Sequence, residues 1–216
     1  MYFALTTYNR MQFLQPSLDS LLVSEFPPGS HLIVSDDCSS PDIQEYIRSR
    51  FNEPVKNLNV KLIMNKVNIG CDVNVVRAIR EAFFSGGEQF VIVTDSDAIY
   101  NPKWILKLLE AKSQISEEIG MIGVFNTQEH KQIEEYNENL IVKSSLGGLA
   151  VMLNRDVFMN QALMFRAWDW SYSYLCGRMK KRIFCTRNSY VEHIGDLGTH
   201  STDGYSSSKA INFVAD

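Results

Sequence analysis

The stretch Phe90-Val91-Ile92-Val93-Thr94-Asp95-Ser96-Asp97 joins an apolar run to a pair of carboxylates. An apolar run of this length predicts a buried β-strand. Two carboxylates at the end of such a strand can direct their oxygens to one point, as a hard cation such as Mg²⁺ or Mn²⁺ requires. The alternative is that Asp95 and Asp97 cap a helix that begins near Pro102. We favour a ligand site, because α/β proteins bind ligands at the ends of their strands.

Strand and helix patterns alternate along the first half of the chain. Apolar runs predict five strands, at residues 2–7, 32–34, 60–64, 90–94 and 121–125. Between them, apolar residues recur at helical spacing in four segments, at residues 14–22, 41–51, 73–83 and 104–109. Pro16 is expected in the first turn of its helix and Pro41 at the first position of the next. This alternation predicts parallel βαβ crossovers, and hence a single α/β domain whose central, mostly parallel sheet is flanked by helices.

The second half of the chain is less regular. Polar residues 128–139 predict an exposed loop or a hairpin. Further elements are expected as strands at 149–153, 183–186 and 190–192 and as a helix at 157–165. The segment 201–216 is rich in Ser and Gly and predicts a flexible tail. No repeat or linker divides residues 1–200, so they are interpreted as one domain.

The composition is that of an ordinary globular domain, with 45% hydrophobic and 21% charged residues and a net charge of −4. This charge gives no reason to expect nucleic acid as a partner. The four cysteines are widely spaced and form no disulfide framework, which predicts a reducing, intracellular setting. The chain shows no signal peptide, and no apolar stretch approaches the ~20 residues that span a bilayer. We therefore expect a cytoplasmic protein with at most peripheral contact at the inner membrane face.

Polar residues follow three of the predicted strands, as Thr6-Thr7-Tyr8-Asn9, Asp36-Asp37 and Asp95-Ser96-Asp97. Since the carboxyl ends of parallel strands meet at one edge of a sheet, these residues predict a shared ligand site. There is no Walker A or GxGxxG sequence, which disfavours a P-loop or a standard dinucleotide fold. A haloacid-dehalogenase-type phosphatase with Asp95 as nucleophile is a competing interpretation. The continuation Ala98-Ile99-Tyr100 and the three preceding βα units disfavour it.

Seven short motifs follow one another between Thr6 and about His200. They are Thr7-Tyr8-Asn9-Arg10, Val34-Ser35-Asp36-Asp37-Cys38-Ser39, Asn68-Ile69-Gly70 leading to Asn74, Thr94-Asp95-Ser96-Asp97, Gly147-Gly148, Trp168-Asp169 and His193-Ile194-Gly195. In order and spacing, the set resembles the inverting family 2 glycosyltransferases of GT-A-type fold. The resemblance implies a nucleotide-binding half in residues 1–97 and an acceptor-binding half in residues 98–200.

The resemblance also implies roles for residues of the first half. Thr6, Tyr8 and Asp37 would line the pocket for the base of the donor, with Asp37 accepting a base N–H. Asn68 and Asn74 would close over the nucleotide and ribose. Without the resemblance, the Asp36-Asp37 pair is equally typical of a turn. The donor-binding residues implied in this way are Thr6, Tyr8, Asn9, Arg10, Asp37, Asn68, Asn74, Asp95 and Ser96.

A divalent cation, Mn²⁺ or Mg²⁺, is the cofactor that the resemblance implies. Asp97 matches the metal-binding acid of the family, and Asp95 would lie near the ribose or the outer shell of the metal. His193 matches a histidine that completes the metal site or touches the diphosphate in some members, and imidazole is a common metal ligand. A structural role for a single histidine at a strand end is an equally good interpretation.

Asp169 matches the catalytic base of the family, which takes a proton from the acceptor hydroxyl. The family often has Glu-Asp at this point, whereas this chain has Trp168-Asp169, so the preceding acid is missing. As a helix N-cap, Asp169 would have a structural role compatible with catalysis. Trp168, Trp170, Tyr172 and Tyr174 are candidates for stacking on sugar rings, although core packing is expected for at least half of them.

Taken together, the sequence predicts a metal-dependent inverting glycosyltransferase that uses a nucleotide-diphosphate sugar, with a UDP-sugar favoured. The acceptor expected from the resemblance is a glycan or a lipid-linked sugar. Arg178, Lys180, Lys181 and Arg182 form a basic cluster that could meet an anionic lipid surface, although a solvated helix end is the favoured interpretation. The alternatives are the phosphatase with Asp95 and a non-catalytic module that binds sugar nucleotides.

Overall fold

The predicted alternation of strands and helices is present in the computed structural model, which describes residues 1–160, 167–195 and 209–215. The strands of this part of the chain are β1 (Tyr2–Thr7), β2 (Ser30–Asp36), β3 (Leu58–Met64), β4 (Phe90–Asp95), β5 (Ala98–Tyr100), β6 (Ile119–Gly123), β7 (Gln132–Glu135), β8 (Leu140–Lys143), β9 (Val151–Asn154), β10 (Arg182–Thr186) and β11 (Val191–His193). The helices are α1 (Met11–Leu22), α2 (Pro41–Arg50), α3 (Cys71–Gly86), α4 (Trp104–Ser113), α5 (Arg155–Met159) and α6 (Trp168–Arg178).

Nine of the described strands form one sheet in the order β3-β2-β1-β4-β9-β6-β10-β8-β7. Strands β3, β2, β1 and β4 are parallel to one another, and β10 is parallel to β6. Strand β9 runs antiparallel between β4 and β6, and β8 runs antiparallel to β10 and β7. Seven of these nine strands therefore point in one direction, which confirms the predicted mostly parallel sheet. Strands β5 and β11 pair separately.

Alternating apolar residues on the central strands bury both faces of the sheet. Phe3 and Leu5 of β1 face the core that is covered by α1, α2 and α4. Ala4, between them, faces the opposite core, which is covered by α3, α5 and α6. Because side chains on a strand alternate between its two faces, continuous apolar strands are the pattern expected for a sheet buried on both sides. The predicted α/β layering is therefore confirmed.

Several local details differ from the sequence-based expectations. Helix α1 begins at Met11, so Pro16 lies in its second turn and not in its first. Proline has no backbone N–H, so at this position it leaves one helical carbonyl without its usual donor. The short strands β5 and β8 were not predicted, because three or four residues are too few to show a period. The polar segment 128–139 does contribute β7 to a hairpin with β8.

Two expectations fall partly outside the described residues. Of the helix expected at 157–165, residues 157–159 belong to α5 and residues 161–165 are not described. The tail expected from Ser201 is not described as far as residue 208. Residues 209–215 are bonded to the body of the domain, since Ile211 donates its backbone N–H to the Asn126 carbonyl at 2.7 Å and Val214 donates to that of Ser189 at 2.9 Å.

Candidate active site

Three strand ends that carry polar residues lie side by side, because β1 pairs with β2 on one side and with β4 on the other. In this register Thr6 is the direct partner of both Ser35 and Asp95. Its hydroxyl donates a hydrogen bond to Asp95 Oδ1 at 3.0 Å. The Asp95 carbonyl accepts from the Tyr100 hydroxyl at 2.5 Å. Strand order thus brings together polar strand ends that lie far apart in sequence, since Thr6 and Asp95 are separated by 89 residues.

The two carboxylates after β2 have different surroundings. Asp36 is fully buried and accepts hydrogen bonds from the Thr7 hydroxyl at 2.9 Å and from the backbone N–H and hydroxyl of Ser39. These bonds fix the turn between β2 and α2, which is the structural role that Asp has in turns. The Asp36 carboxylate is therefore used in structural hydrogen bonds, whereas Asp37 contacts the loop that leads into α3.

Asp37 holds the loop that leads into α3. Its carboxylate accepts the backbone N–H groups of Ile69 at 2.8 Å and Gly70 at 2.9 Å, together with an Asn65 amide N–H at 3.0 Å. A carboxylate offers about four acceptor positions, so three of them are used within the protein. Asn68, expected to contact the donor, accepts the Gly70 N–H through its own side chain at 3.1 Å. The Asn68-Ile69-Gly70 motif is thus a loop fastened to Asp37.

Asn74 lies behind this loop rather than at its surface. It is 2% exposed, accepts from the Ser35 hydroxyl at 2.6 Å and donates to the Ser35 carbonyl at 2.9 Å. It also accepts from Asn65 at 3.1 Å, the residue that donates to Asp37. Asn65 also accepts from Arg77. Asn65 was not identified in the sequence, since an isolated Asn at a strand end carries no signal beyond that of a turn.

The segment after β1 turns sharply in front of the strand ends. Asn9 and Arg10 have φ values of 51° and 59°, in the left-handed region. Asn9 donates its backbone N–H to the Ser39 hydroxyl at 2.7 Å and accepts the Ser40 N–H through its side chain at 3.0 Å. Tyr8, between this turn and β1, is 41% exposed. Asn is among the residues that tolerate the left-handed conformation, so the turn is locally encoded at that position.

Asp97 is the centre of a charged cluster. Its Oδ2 lies 2.8 Å from Arg10 Nη1 and 3.3 Å from His193 Nε2. Arg10 Nη2 is buried and has no hydrogen-bond partner among the described residues. A Cβ on Gly195 would overlap Asp97 Oδ2 and would lie 2.9 Å from Arg10 Nη2. The glycine of the His193-Ile194-Gly195 motif is therefore required for close approach of the backbone to this cluster.

Opposed charges set the protonation of the cluster. Burial by itself would raise the pKa of Asp97, but the hydrogen bond and charge of His193 and the charge of Arg10 outweigh it, so this pKa is lowered. Burial would likewise lower the pKa of His193, but Asp97 outweighs it and this pKa is raised. Burial and the negative charge of Asp97 raise the pKa of Asp95. Neither Asp95 nor Asp97 caps the following helix, because β5 comes between them and α4.

Asp97 and His193 have the chemistry of two ligands for a hard cation. A carboxylate oxygen and an imidazole nitrogen 3.3 Å apart are close enough to share one ion. Among the described residues, no group of three or more such side chains is arranged to hold a metal. Mg²⁺ is often bound through one or two carboxylates, with phosphate and water oxygens as its other ligands. The residues present therefore fit a cation held jointly by the protein and a diphosphate.

The base predicted at Asp169 lies in the first turn of α6. Its Oδ1 accepts the backbone N–H of Trp170 at 2.8 Å. Burial, with smaller contributions from the charges of Glu129 and Asp72, raises the pKa of Asp169 to about 6. Asp72 of α3 also accepts the backbone N–H of Trp168 at 3.0 Å, so it caps α6 from another helix. Asp72 was missed in the sequence, where it is simply an acid in the first turn of a helix.

The N-terminus of α3 is where the two halves of the site meet. Desolvation by the surrounding protein, followed by the negative charges of Asp95, Asp72, Asp169 and Asp37, raises the pKa of the Cys71 thiol to about 12. Carboxylates after β2, at the end of β4 and on α3 and α6 therefore all act electrostatically on this thiol. This convergence joins the acids expected to bind the donor with the acid expected to be the base.

The aromatic residues around Asp169 divide into two groups. Trp168 and Tyr172 are 6% and 0% exposed and belong to the core, as expected for half of the set. Trp170 and Tyr174 are 46% and 52% exposed. A Cβ on Gly148 would lie 3.0 Å from Trp168 Cε2 and would overlap the adjoining ring carbon. The Gly147-Gly148 motif therefore allows the backbone to pack directly against the tryptophan that starts α6.

Two of the four basic residues at the end of α6 and just after it are paired with acids. Lys181 pairs with Glu118 at 2.5 Å, and Arg182 pairs with Glu117 at 2.7 Å and with Glu134. Arg178 donates to the Tyr174 hydroxyl at 3.2 Å. These contacts agree with the favoured interpretation of a solvated helix end. In the part of the chain that the structure describes, no helix is both long and apolar enough to cross a membrane.

A doubly covered, mostly parallel sheet with acids at the ends of β2 and β4 and a further acid on α6 defines the GT-A class of glycosyltransferase folds. Solved structures of this class superpose on the chain. Crystal structures of S. aureus TarS match with a TM-score of 0.63 at 16% identity, covering 88% of this chain and 36% of that one. The TarS 1–349 complex with UDP-GlcNAc gives a TM-score of 0.67 at 16% identity, covering 94% and 61%.

A mannosyltransferase, PcManGT from Pyrobaculum calidifontis in complex with GDP-Man and Mn²⁺, gives a TM-score of 0.61 at 14% identity. The match covers 84% of this chain and 53% of that one. The chain therefore spans between 36% and 61% of the length of these three structures. No curated protein sequence matches it. The family model for glycosyl transferase family 2 matches residues 2–179, and the chain belongs to this family. Membership confirms the resemblance and argues against the haloacid-dehalogenase-type phosphatase.

Proposed function

We propose that this chain transfers a sugar from a nucleotide-diphosphate donor to an acceptor hydroxyl, with inversion at the anomeric carbon and dependence on Mn²⁺ or Mg²⁺. A UDP-sugar is the favoured donor, and the acceptor is a glycan or a lipid-linked sugar. The observation that carries the proposal is that the start of α3 contacts both halves of the site. Asp37 accepts the backbone N–H of Gly70, the N-cap residue of α3, at 2.9 Å, and Asp72 in its first turn accepts the backbone N–H of Trp168, which precedes Asp169, at 3.0 Å. It is supported by family membership and by neighbours solved with UDP-GlcNAc or with GDP-Man and Mn²⁺.

In the proposed reaction, Asp169 accepts the proton of the acceptor hydroxyl. The acceptor oxygen forms a bond to the anomeric carbon as the bond from that carbon to the diphosphate breaks, and the electron pair leaves with the diphosphate. A pKa of about 6 leaves Asp169 ionised at neutral pH and close to the range in which a base is most effective. Its hydrogen bond to the Trp170 N–H orients the carboxylate for this step.

On the donor side, Asp97 and His193 would hold the divalent cation. When bound, that cation supplies positive charge to neutralise the departing diphosphate. Arg10 is suited to the same task, because its buried Nη2 has a donor to offer and no partner among the described residues. Thr6 and Asp37 would face the nucleobase of the donor. Asn65 donates to Asp37 and to Asn74, so the two asparagines hold Asp37 in position.

A thermal-shift screen tests the donor part of the proposal. UDP, GDP, UDP-glucose, UDP-GlcNAc and GDP-mannose would each be added with and without MnCl₂, because a ligand that binds the folded state stabilises it, and a tighter ligand does so more strongly at the same concentration. We expect a metal-dependent rise in melting temperature with UDP or a UDP-sugar. The rise should be absent in Asp97→Ala and retained in Asp42→Ala, a control at an exposed position of α2.

The catalytic part of the proposal is tested with Asp169→Asn. This variant should bind the donor as wild type does and lose transfer and donor hydrolysis. If wild type itself binds a donor but neither hydrolyses nor transfers it, the chain is a non-catalytic sugar-nucleotide-binding module. Equal transfer rates in wild type and Asp169→Asn would show that another residue is the base.

A further inference from the structure

The exposed indole ring of Trp170, the residue after Asp169, packs against the buried imidazole of His130. The rings of Trp170 and His130 lie 5.2 Å apart between centroids, with 37° between their planes. Trp170 is 46% exposed, whereas His130 is 5% exposed. The His130 Nδ1 is hydrogen-bonded to the Ser145 hydroxyl at 2.8 Å. The hydrogen bond to Ser145 therefore fixes the position of His130. The indole of Trp170 packs against His130 on one side and remains partly exposed to solvent.

The residue that carries this ring comes directly after the residue that would take the acceptor proton. Trp170 follows Asp169 directly, and the backbone N–H of Trp170 donates a hydrogen bond to Asp169 Oδ1 at 2.8 Å. Glu129, which precedes His130, acts electrostatically on Asp169. The segment Glu129-His130 in the loop after β6 therefore lies close to Asp169-Trp170 at the start of α6. The ring contact between His130 and Trp170 joins the two segments.

Gly147 explains how this arrangement is packed. A Cβ at Gly147 would lie 3.2 Å from His130 Nε2, closer than such contacts normally come. The glycine therefore allows the backbone after β8 to close over the histidine. Neighbouring Gly148 makes the same kind of approach to Trp168. The Gly147-Gly148 motif thus shapes the support of both tryptophans at the start of α6.

The charges that act on Asp169 disfavour a second anion beside it. Burial, followed by the charge of the Lys143 ammonium, lowers the pKa of His130 to about 4, so the histidine is neutral at physiological pH. The Lys143 ammonium is itself buried and donates to Asn126 Oδ1 at 2.6 Å and to the Thr127 carbonyl at 2.7 Å. The described charges that act on the Asp169 carboxylate are those of the carboxylates Glu129 and Asp72. A phosphate or carboxylate placed beside Asp169 would be repelled.

We propose that Trp170, braced by His130, is the platform on which an uncharged pyranose ring of the acceptor stacks, with one hydroxyl directed to Asp169. The C–H face of a sugar ring is apolar and suits the face of an indole, while its hydroxyls remain at the edge for hydrogen bonding. The inference rests on the proposed glycosyl transfer and names its acceptor as a neutral sugar rather than a phosphorylated or acidic one.

The test measures sugar binding without the donor, so that it does not depend on transfer. Saturation-transfer NMR with methyl glycosides of glucose, galactose, mannose and N-acetylglucosamine would be compared with methyl glucuronide and glucose 6-phosphate. Wild type, Trp170→Phe, Trp170→Ala and Phe84→Ala would be used. Phe84 is a matched control, because it is an exposed aromatic residue near the far end of α3.

We expect a neutral glycoside to bind wild type and Phe84→Ala alike. Binding should weaken by about tenfold in Trp170→Ala and be largely kept in Trp170→Phe, as stacking on an aromatic face requires. Equal binding to wild type and Trp170→Ala, preference for the two anionic sugars, or no binding of any neutral glycoside would overturn the inference. Failure of the proposed transfer would show separately, as absence of donor binding or hydrolysis in the same wild-type preparation.

Discussion

Replacing Asp169 with asparagine should make the protein more stable at neutral pH while sharply lowering its proposed transfer activity. Burial is the main reason that the pKa of Asp169 rises from its ordinary 3.8 to about 6. Each pKa unit corresponds to about 1.36 kcal/mol, so the ionised carboxylate costs the folded state about 3 kcal/mol. Asparagine keeps the oxygen that accepts the Trp170 N–H and carries no charge. The free energy of unfolding should therefore rise by up to about 3 kcal/mol.

The size of this stability difference depends on pH in a defined way. Between pH 3.8 and about 6 the unfolded chain has released the Asp169 proton while the folded protein still holds it, so wild-type stability falls as the pH rises through this window. Above about pH 6 the cost is complete, and below 3.8 it vanishes. Urea unfolding of wild type and Asp169→Asn at pH 7.5, 5 and 4 would show the difference shrinking from its full value toward zero.

Transfer by Asp169→Asn should fall by about 10²–10⁴-fold, the usual contribution of a general base. The matched control is Asp42→Asn on α2, where a hydrogen bond from Ser40 lowers the pKa of the carboxyl, so its charge favours folding and the substitution should give no stabilisation. The reasoning would be refuted if Asp169→Asn were no more stable than wild type at pH 7.5. A gain that persisted unchanged at pH 4 would equally refute it.

Three further outcomes are expected. Gly195→Ala should remove the Mn²⁺-dependent stabilisation by UDP while the far-UV spectrum is unchanged, because its Cβ would overlap the Asp97 carboxylate; retained stabilisation would contradict this geometry. Asp72→Ala should lower kcat more than it raises the donor KM, because the backbone N–H of Trp168 at the start of α6 loses its acceptor. Asp72→Asn keeps an acceptor oxygen and should restore kcat. Equal losses of kcat in both variants would point to a role for the charge of Asp72 instead. Gly148→Ala should reduce unfolding free energy by about 1–3 kcal/mol through overpacking against Trp168, measured by urea unfolding; an unchanged midpoint would argue against direct packing.

The βα alternation was predictable because it depends on neighbours a few residues apart. The run Phe90–Asp95 shows its burial directly, and α1 to α4 have regular apolar spacing. Strands β5 and β8 were missed, since such short segments show no period. The start of α1 was misplaced because Asn9 and Arg10 adopt left-handed conformations, which shifts Pro16 into the second turn.

The chemistry of individual site residues was partly visible in their types, but their partners were not. Asp97 could be selected as an acid after a buried strand, whereas Asp169 and His193 were selected through the family resemblance. The functional roles of all three remain predictions. That Asp37 fastens the Gly70 loop could not be deduced, because its partners lie more than 25 residues away in sequence. His130 gave no signal at all, since a single histidine in a polar segment is ordinary.

The sequence by itself determined the α/β class, the order of the strands along the chain and the family, because periodicity and motif spacing are local properties that can be read in one dimension. The tertiary structure alone decided which acids meet. Arg10 reaches Asp97 across 87 residues, and Asp72 reaches Trp168 across 96. These contacts depend on β4 pairing with β1 and on α6 packing against α3. Such pairings are set by burial of the whole sheet, a property that no local segment of the chain contains.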